Sequence, residues 1–235
     1  MNEVKLGIIG GMGPAATDLL YRRIVARTDA DRDQDHMDMI ILSHASMPDR
    51  TAAIKSGETD EVLSLLKEDA KFLEDAGVTA IVIPCNTSHY FYDELQSSTS
   101  VPIINMIASA AEYLKAKGRK KVCVLATDGT IMTGIYKKEL ERCGVEYYAP
   151  DSETQKIVMD IIYEQVKKGL PCHEEDFRKV NNHIRANGCD GALLACTELS
   201  VVRETAGLSD FYTDALEVLC ERSIEACGKK IRELV

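Results

Sequence analysis

Cysteine occurs twice in the same setting. Gly77-Val78-Thr79-Ala80-Ile81-Val82-Ile83-Pro84-Cys85-Asn86-Thr87 reads like Gly188-Cys189-Asp190-Gly191-Ala192-Leu193-Leu194-Ala195-Cys196-Thr197-Glu198, with Cys196 standing 111 residues after Cys85. Each copy is a glycine, an apolar run, a cysteine and a polar stretch. A lone cysteine in an apolar run is ordinarily a small buried hydrophobe. Two in equivalent places suggest a shared task. At the end of a strand and the start of a helix, a thiol meets free backbone N–H groups and the positive end of the helix dipole, which favour the thiolate and can hold a carboxylate. The chemistry open to the pair is inversion of a stereocentre. One thiolate removes a proton from one face of the carbon, the other thiol returns a proton to the opposite face, and the roles exchange with direction. An α-proton is weakly acidic, so aimed donors must meet the charge that develops on the neighbouring carboxylate. Asn86, Thr87 and Thr197 are placed for that, and His89 and Glu198 are close enough in sequence to orient or tune the thiols. His89 reads equally well as a structural histidine within its helix.

Positioning these groups falls to short β-branched runs that alternate with longer helical patterns, the signature of βαβ units. Strands are predicted at 4–9, 37–43, 79–84, 101–104, 121–126, 145–148 and 191–195, with a weaker one at 211–213. Helical periodicity runs from Glu61 to Ala76, Thr154 to Lys168 and Glu174 to Asn187. A second internal match pairs Leu6 to Pro14 with Val122 to Thr130, again a strand followed by a Gly-containing turn. The expected fold is therefore α/β, with two similar lobes, mainly parallel four-stranded sheets related by pseudo-two-fold symmetry, and an active site in the cleft between them. The first lobe is expected over 1–105 with a C-terminal helix 214–235 returning to it, and the second over 106–213.

The turn Gly10-Gly11-Met12-Gly13-Pro14 follows the first strand, and Gly11, Gly13 and Ala16 formally meet the dinucleotide-binding fingerprint. That fingerprint also needs an acidic residue at the end of the second strand, where Ser43-His44 stand instead, with Asp38 at the strand's start. The turn, centred on Met12 and Gly13, is read as a source of backbone donors for a small anion, with Pro14 in the first helical turn. A nucleotide-dependent oxidoreductase remains the rival from another chemistry.

Bulk properties exclude several classes. The chain of 235 residues is 45% hydrophobic and 28% charged, as ordinary globular proteins are. Its net charge of −10, with scattered rather than clustered Lys and Arg, argues against a nucleic-acid partner. The run Val4 to Ile9 is too short for a signal peptide or a membrane span, so a cytoplasmic protein without a membrane partner is expected. Eight cysteines without a C-x-x-C pair read as reduced thiols and not as a zinc site, so no metal is expected.

Taken in order, Gly10-Gly11-Met12-Gly13-Pro14, Pro84-Cys85-Asn86-Thr87-Ser88-His89 and Ala195-Cys196-Thr197-Glu198 resemble the motifs of the aspartate/glutamate racemase family, aspartate racemases above all. The resemblance implies two similar α/β lobes, catalysis by Cys85 and Cys196 without pyridoxal phosphate or any other cofactor, a small amino-acid substrate and a homodimer. Further along the chain, Ser46-Met47-Pro48-Asp49-Arg50-Thr51 resembles the family's mobile substrate-covering loop. Ala126-Thr127-Asp128-Gly129-Thr130 resembles its second binding turn, which implies roles for Thr127 and Thr130, and Ile162 to Gly169 resembles the segment that supplies a lysine, here Lys167. Arg50 and Lys167 together imply an acidic substrate, with a bidentate guanidinium on one carboxylate and a point charge on another. Aspartate is favoured. Glutamate differs by one methylene, worth only ~1–3 kcal/mol of discrimination, so glutamate or broad specificity stays open. Open too are a maleate isomerase or decarboxylase of the same superfamily, although decarboxylases are expected to keep one cysteine, and a binding protein that has kept the cleft without catalysis. Ser88 stands where alanine is common in the motif and Ala195 where glycine is common, and neither touches the thiol pair.

Overall fold

Lys5–Gly10 (β1) is buried from Leu6 onward, as befits a strand flanked on both sides within a parallel sheet. It opens the part of the chain described by the computed structural model, residues 5–232, so the first residue of the predicted strand 4–9 lies outside it. Helix Pro14–Arg27 (α1), strand Asp38–Ser43 (β2), helices Arg50–Ser56 (α2) and Asp60–Asp75 (α3), and strand Ala80–Val82 (β3) follow. A 3-10 turn over Thr87–Phe91 leads into the short helix Tyr92–Gln96 (α4). The strands form a parallel sheet in the order β2-β1-β3. Val62, Leu66, Ala70 and Leu73 recur at helical spacing and give α3 a buried stripe that packs with Ile9, Ile81, Ile83 and Leu95. Burying each of these large aliphatic side chains contributes about 1.5–3 kcal/mol.

This sheet has three strands where four were predicted. The segment 101–104 makes a single bridge, Ile81 to Ile103, in which Ile81 N–H donates to Pro102 O and Ile104 N–H to Ile81 O, each at 2.9 Å. Extending that parallel ladder in either direction would need donors at 102 and 106. Pro102 has no N–H, and Met106 N–H is given to His89 Nε2 at 3.1 Å.

Helix Met106–Ala116 (α5) precedes the second set: strand Lys121–Leu125 (β4), helices Asp128–Thr133 (α6) and Ile135–Arg142 (α7), strand Glu146–Tyr148 (β5) and helix Ser152–Asp160 (α8). Helix Glu174–Ala186 (α9), strand Gly191–Leu194 (β6), helix Thr197–Ala206 (α10), strand Tyr212–Asp214 (β7) and helix Ala215–Ala226 (α11) complete the chain. The sheet order is β5-β4-β6-β7, all parallel, so the weak run at 211–213 is a strand. Its core joins Leu125, Ile162, Ile184, Leu194 and Leu199.

The predicted helix 154–168 is broken. α8 stops at Asp160, a π turn covers Ile161–Gln165 and a 3-10 turn Val166–Lys168, which ends at Gly169 with φ 75°. Gln165 is the anchor that interrupts it: buried, it donates to Asp176 Oδ2 and accepts from His173 N–H, both at 2.9 Å, which ties this stretch to the start of α9. A π turn admits an extra residue and re-aims the side chains after it, and such turns are frequent at functional sites.

Contacts divide the chain into two compact units, Met1–Met106 with Leu216–Val235, and Ile107–Ala215. Each unit repeats the other's pairing. Lys5 pairs with Asp38 as Lys121 does with Glu146, Leu6 with Ala80 as Val122 with Gly191, and Ile81 with Ile103 as Ala192 with Tyr212. The return of the chain to the first unit is held by charge, with Arg27 of α1 2.7 Å from Glu221 and 3.2 Å from Glu217 of α11. Among the described residues no helix is long and apolar enough to cross a membrane.

Candidate active site

In the first unit the site begins where β1 runs out. Gly11 has φ +86°, and a Cβ there would stand 2.4 Å from the backbone nitrogen of His44, so only glycine fits between β1 and the residue that follows β2. His44 N–H donates to Gly10 O at 3.1 Å, and its ring is held by Asp69 of α3 at 2.9 Å. Gly11 N–H donates to Thr17 Oγ1 at 2.9 Å. Met12 is buried beneath the turn, and Gly13 O accepts from Thr17 N–H at 3.3 Å in the first turn of α1.

Arg50 opens α2, whose cap is Asp49, accepting from Ala52 N–H at 2.8 Å. Although the residue is only 8% exposed, its guanidinium meets backbone carbonyls alone: Pro48 O at 2.8 Å, Met47 O at 3.2 Å and Met12 O at 3.5 Å, with Nε unpartnered. Among the described residues no carboxylate forms an ion pair with it. Burying a cation without a counter-ion is costly, and an anionic ligand would relieve that cost.

Cys85 lies just past β3 and is buried. The polar stretch after it forms the 3-10 turn and not an α-helix, with Asn86, Thr87, Ser88 and His89 all buried. Ser88 Oγ donates to Met12 Sδ at 3.5 Å, which joins the cysteine motif to the glycine turn. His89 Nε2 accepts from Met106 N–H, so Nδ1 carries the proton and donates to Cys85 O at 2.9 Å. Burial holds its pKa below the ordinary histidine value, against the pull of the Cys85 and Ile104 carbonyls. With both nitrogens committed to backbone, His89 is a neutral fastener of the Cys85 turn.

The second unit places Cys196 at the N-cap of α10, directly after β6. Its Sγ donates to Glu198 Oε2 at 2.9 Å, which also accepts from the Thr197 hydroxyl at 3.4 Å. Lys167 Nζ stands 3.8 Å from Glu198 Oε1 and 4.3 Å above the ring centre of Tyr163. The expectation that a helix start would make both thiols acidic is corrected for Cys196. Burial first, then the charge and hydrogen bond of the Glu198 carboxylate, push its pKa well up, outweighing the Glu198 backbone N–H and Lys167. Cys196 is therefore held as a thiol with its proton aimed at a carboxylate.

The other predicted residues of this unit lie at the same sheet edge. Thr127 caps α6 by accepting from Thr130 N–H at 3.3 Å, and the two hydroxyls are 3.2 Å apart. The pairing of Leu125 with Leu194, and Ala195 N–H donating to Leu125 O at 2.8 Å, set this turn beside Cys196. Three residues were missed from sequence. Tyr163 carried a usable signal, one helical turn before Lys167. Asp214 pairs in register with Leu194 and accepts from Ser200 Oγ at 2.7 Å, pinning α10 to the end of β7 through a wholly buried bond. Tyr136 is buried close by, its pKa raised by burial and then by the nearby Asp214 and Cys196. Nothing in the local sequence marks it.

Residues 9–210 match the family described as Asp/Glu/Hydantoin racemase. The chain is 29% identical over 201 residues to the broad specificity amino-acid racemase of Bacillus subtilis (strain 168), covering 84% of this chain and 86% of that protein. It is 30% identical over 155 residues to the glutamate racemase of Aquifex aeolicus (strain VF5), covering 64% of this chain but 57% of that protein. Among solved structures, Picrophilus torridus aspartate racemase superposes with a TM-score of 0.83 at 31% identity, over 97% of this chain and 96% of that one. The chain belongs to the Asp/Glu/hydantoin racemase family and is an amino-acid racemase.

Proposed function

We propose that the substrate is aspartate and that Cys85 and Cys196 act on opposite faces of its α-carbon without a cofactor, each the base for one enantiomer and the acid for the other. The observation that carries this reading is the buried Arg50 guanidinium, which has backbone carbonyls but, among the described residues, no anion, and is joined through Met12 to the Cys85 motif. A substrate carboxylate would supply its counter-charge. Cys196, held as a thiol, suits the acid of one direction. The turn at Met12 and Gly13 with Asn86 and Thr87, and Thr127, Thr130 and Thr197 in the other unit, are proposed to hold the carboxylates as charge builds on the enolate-like intermediate. The reading extends to a cytoplasmic homodimer, its assembly checked by light scattering.

A second reading, broad amino-acid specificity, is favoured by Lys167: Glu198 faces it at 3.8 Å and offsets part of its charge before any substrate arrives. Chiral chromatography of purified protein with L-aspartate, L-glutamate and neutral amino acids, no cofactor added, separates the two. In heavy water, Cys85→Ala and Cys196→Ala are each expected to lose net racemisation while retaining α-proton exchange with opposite enantiomer preference. Normal racemisation by either variant would overturn the two-thiol assignment.

A further inference from the structure

The two oxygens of Glu198 serve different partners. Oε2 takes the Cys196 proton donor at 2.9 Å and the Thr197 hydroxyl at 3.4 Å, whereas Oε1 faces Lys167 at 3.8 Å. The last distance is too long for a hydrogen bond, so the Lys167–Glu198 contact is an ion pair that another anion can compete for. The Lys167 side chain has a flexible four-carbon stem, leaves a single 3-10 turn placed between the π turn and Gly169, and is 29% exposed against 11% for Glu198. The Tyr163 ring gives the ammonium a second seat that does not depend on Glu198.

We infer that Lys167 is a trigger worked by the substrate: a second carboxylate on the bound molecule draws the ammonium off Glu198, and Glu198 then takes the proton of Cys196. This rests on the proposed two-thiol function. The step balances within the triad, since the S–H bond of Cys196 breaks, an O–H bond forms on Glu198, and the net charge of the pair stays at −1. A carboxylate that loses a neighbouring cation holds a proton more strongly. Lys167 also favours the Cys196 thiolate, but it stands against Glu198 Oε1 and is the smallest of the influences on Cys196, so its withdrawal acts mainly on the carboxylate. The thiolate so formed can remove the α-proton of the enantiomer that faces it, a task closed to Cys196 as the resting thiol. For the opposite enantiomer the proton held on Glu198 returns through Cys196 Sγ to the carbanion, so the pair still serves as the acid. When the dicarboxylate leaves, Lys167 returns to Glu198. A neutral amino acid fills the site without moving Lys167, so the device selects acidic substrates through kcat more than through KM.

Infrared difference spectroscopy reads the triad directly in the intact protein, because the S–H stretch lies in an otherwise empty region and is assigned to Cys196 by its loss in Cys196→Ser. Succinate, with two carboxylates and no stereocentre, is the probe, acetate is the one-carboxylate control, and calorimetry fixes saturation. Succinate is expected to shift the Cys196 S–H band to lower frequency and weaken it, with a protonated-carboxyl C=O band appearing. Acetate should do neither, Lys167→Met should abolish the response, and Glu198→Gln should remove the C=O band. An unchanged wild-type spectrum, a failure of succinate to bind, or the same response in Lys167→Met would overturn the trigger. Kinetically, Lys167→Met should compress the ratio of kcat for aspartate to kcat for alanine by about tenfold or more, and a change confined to KM would contradict it. A succinate response in a protein that does not racemise aspartate would sink the aspartate reading alone, and aspartate racemisation without the response would sink the trigger alone.

Discussion

Arg50→Met removes the guanidinium and keeps the apolar stem, and it separates substrate binding from folding. The folded protein loses hydrogen bonds to Pro48 O at 2.8 Å and Met47 O at 3.2 Å, each worth about 1.5–3 kcal/mol when the donor is charged. It also sheds the desolvation cost of a cation that is 8% exposed and has no counter-ion among the described residues, a cost of several kcal/mol. The two effects oppose each other, so stability should change by no more than about 1 kcal/mol, a shift of roughly 2–4 °C in Tm. The substrate has no such compensation. A desolvated carboxylate that loses a charge-assisted bond forfeits about 1.5–3 kcal/mol, or roughly tenfold to a hundredfold in kcat/KM. The assay is the initial rate of D-aspartate formation by chiral chromatography, beside thermal denaturation of the same preparations, with methylguanidine added to Arg50→Ala as a rescue. Wild-type kinetics in Arg50→Met, or a large fall in Tm with no loss of kcat/KM beyond the unfolded fraction, would return Arg50 to a structural role.

Three further outcomes are expected from the geometry. His89 is buried neutral with its pKa held below the ordinary value, so its contribution to stability is complete above about pH 6.5 and lost as pH falls below it, because the unfolded chain takes up a proton that the folded one refuses; urea denaturation from pH 7.5 to 5 should show a steeper loss for wild type than for His89→Asn, and parallel slopes would contradict the neutral assignment. Gly11→Ala forces a side chain into φ +86° with its Cβ 2.4 Å from His44 N, which should cost at least about 2 kcal/mol in chemical denaturation, and an unchanged midpoint would refute the close approach. Ser200→Ala takes the 2.7 Å donor from buried Asp214 and should cost about 1–3 kcal/mol in the same experiment, whereas a neutral result would mean that α10 is not pinned there.

Much of the architecture was local enough to read from sequence. Continuous apolar runs mark the central strands β1, β4 and β6, because a strand covered on both faces has no polar side to show. Amphipathic spacing located α3 and α9 to within a residue at either end. The repeated glycine, strand and cysteine pattern showed that one unit was used twice, and the matching registers of the two sheets bear that out. Its motifs also carried the family, since a racemase motif is a short run of residues whose order survives in the chain itself.

What tertiary structure decided was where each donor, charge and proton goes. The segment 101–104 has strand composition, yet Pro102 lacks a donor and Met106 gives its own to a histidine distant in sequence, so pairing stops at one bridge. The helix expected through Lys168 is interrupted because Gln165 finds partners on α9, which no periodicity within 154–168 records. His89 is a fastener because both its nitrogens are taken by backbone. The two cysteines look alike in sequence, but the thiol of Cys196 is set by burial and by a carboxylate folded back onto it, with Lys167 arriving from another element. Side-chain type and spacing are properties of the chain, whereas desolvation and the choice among competing partners exist only once distant segments have met.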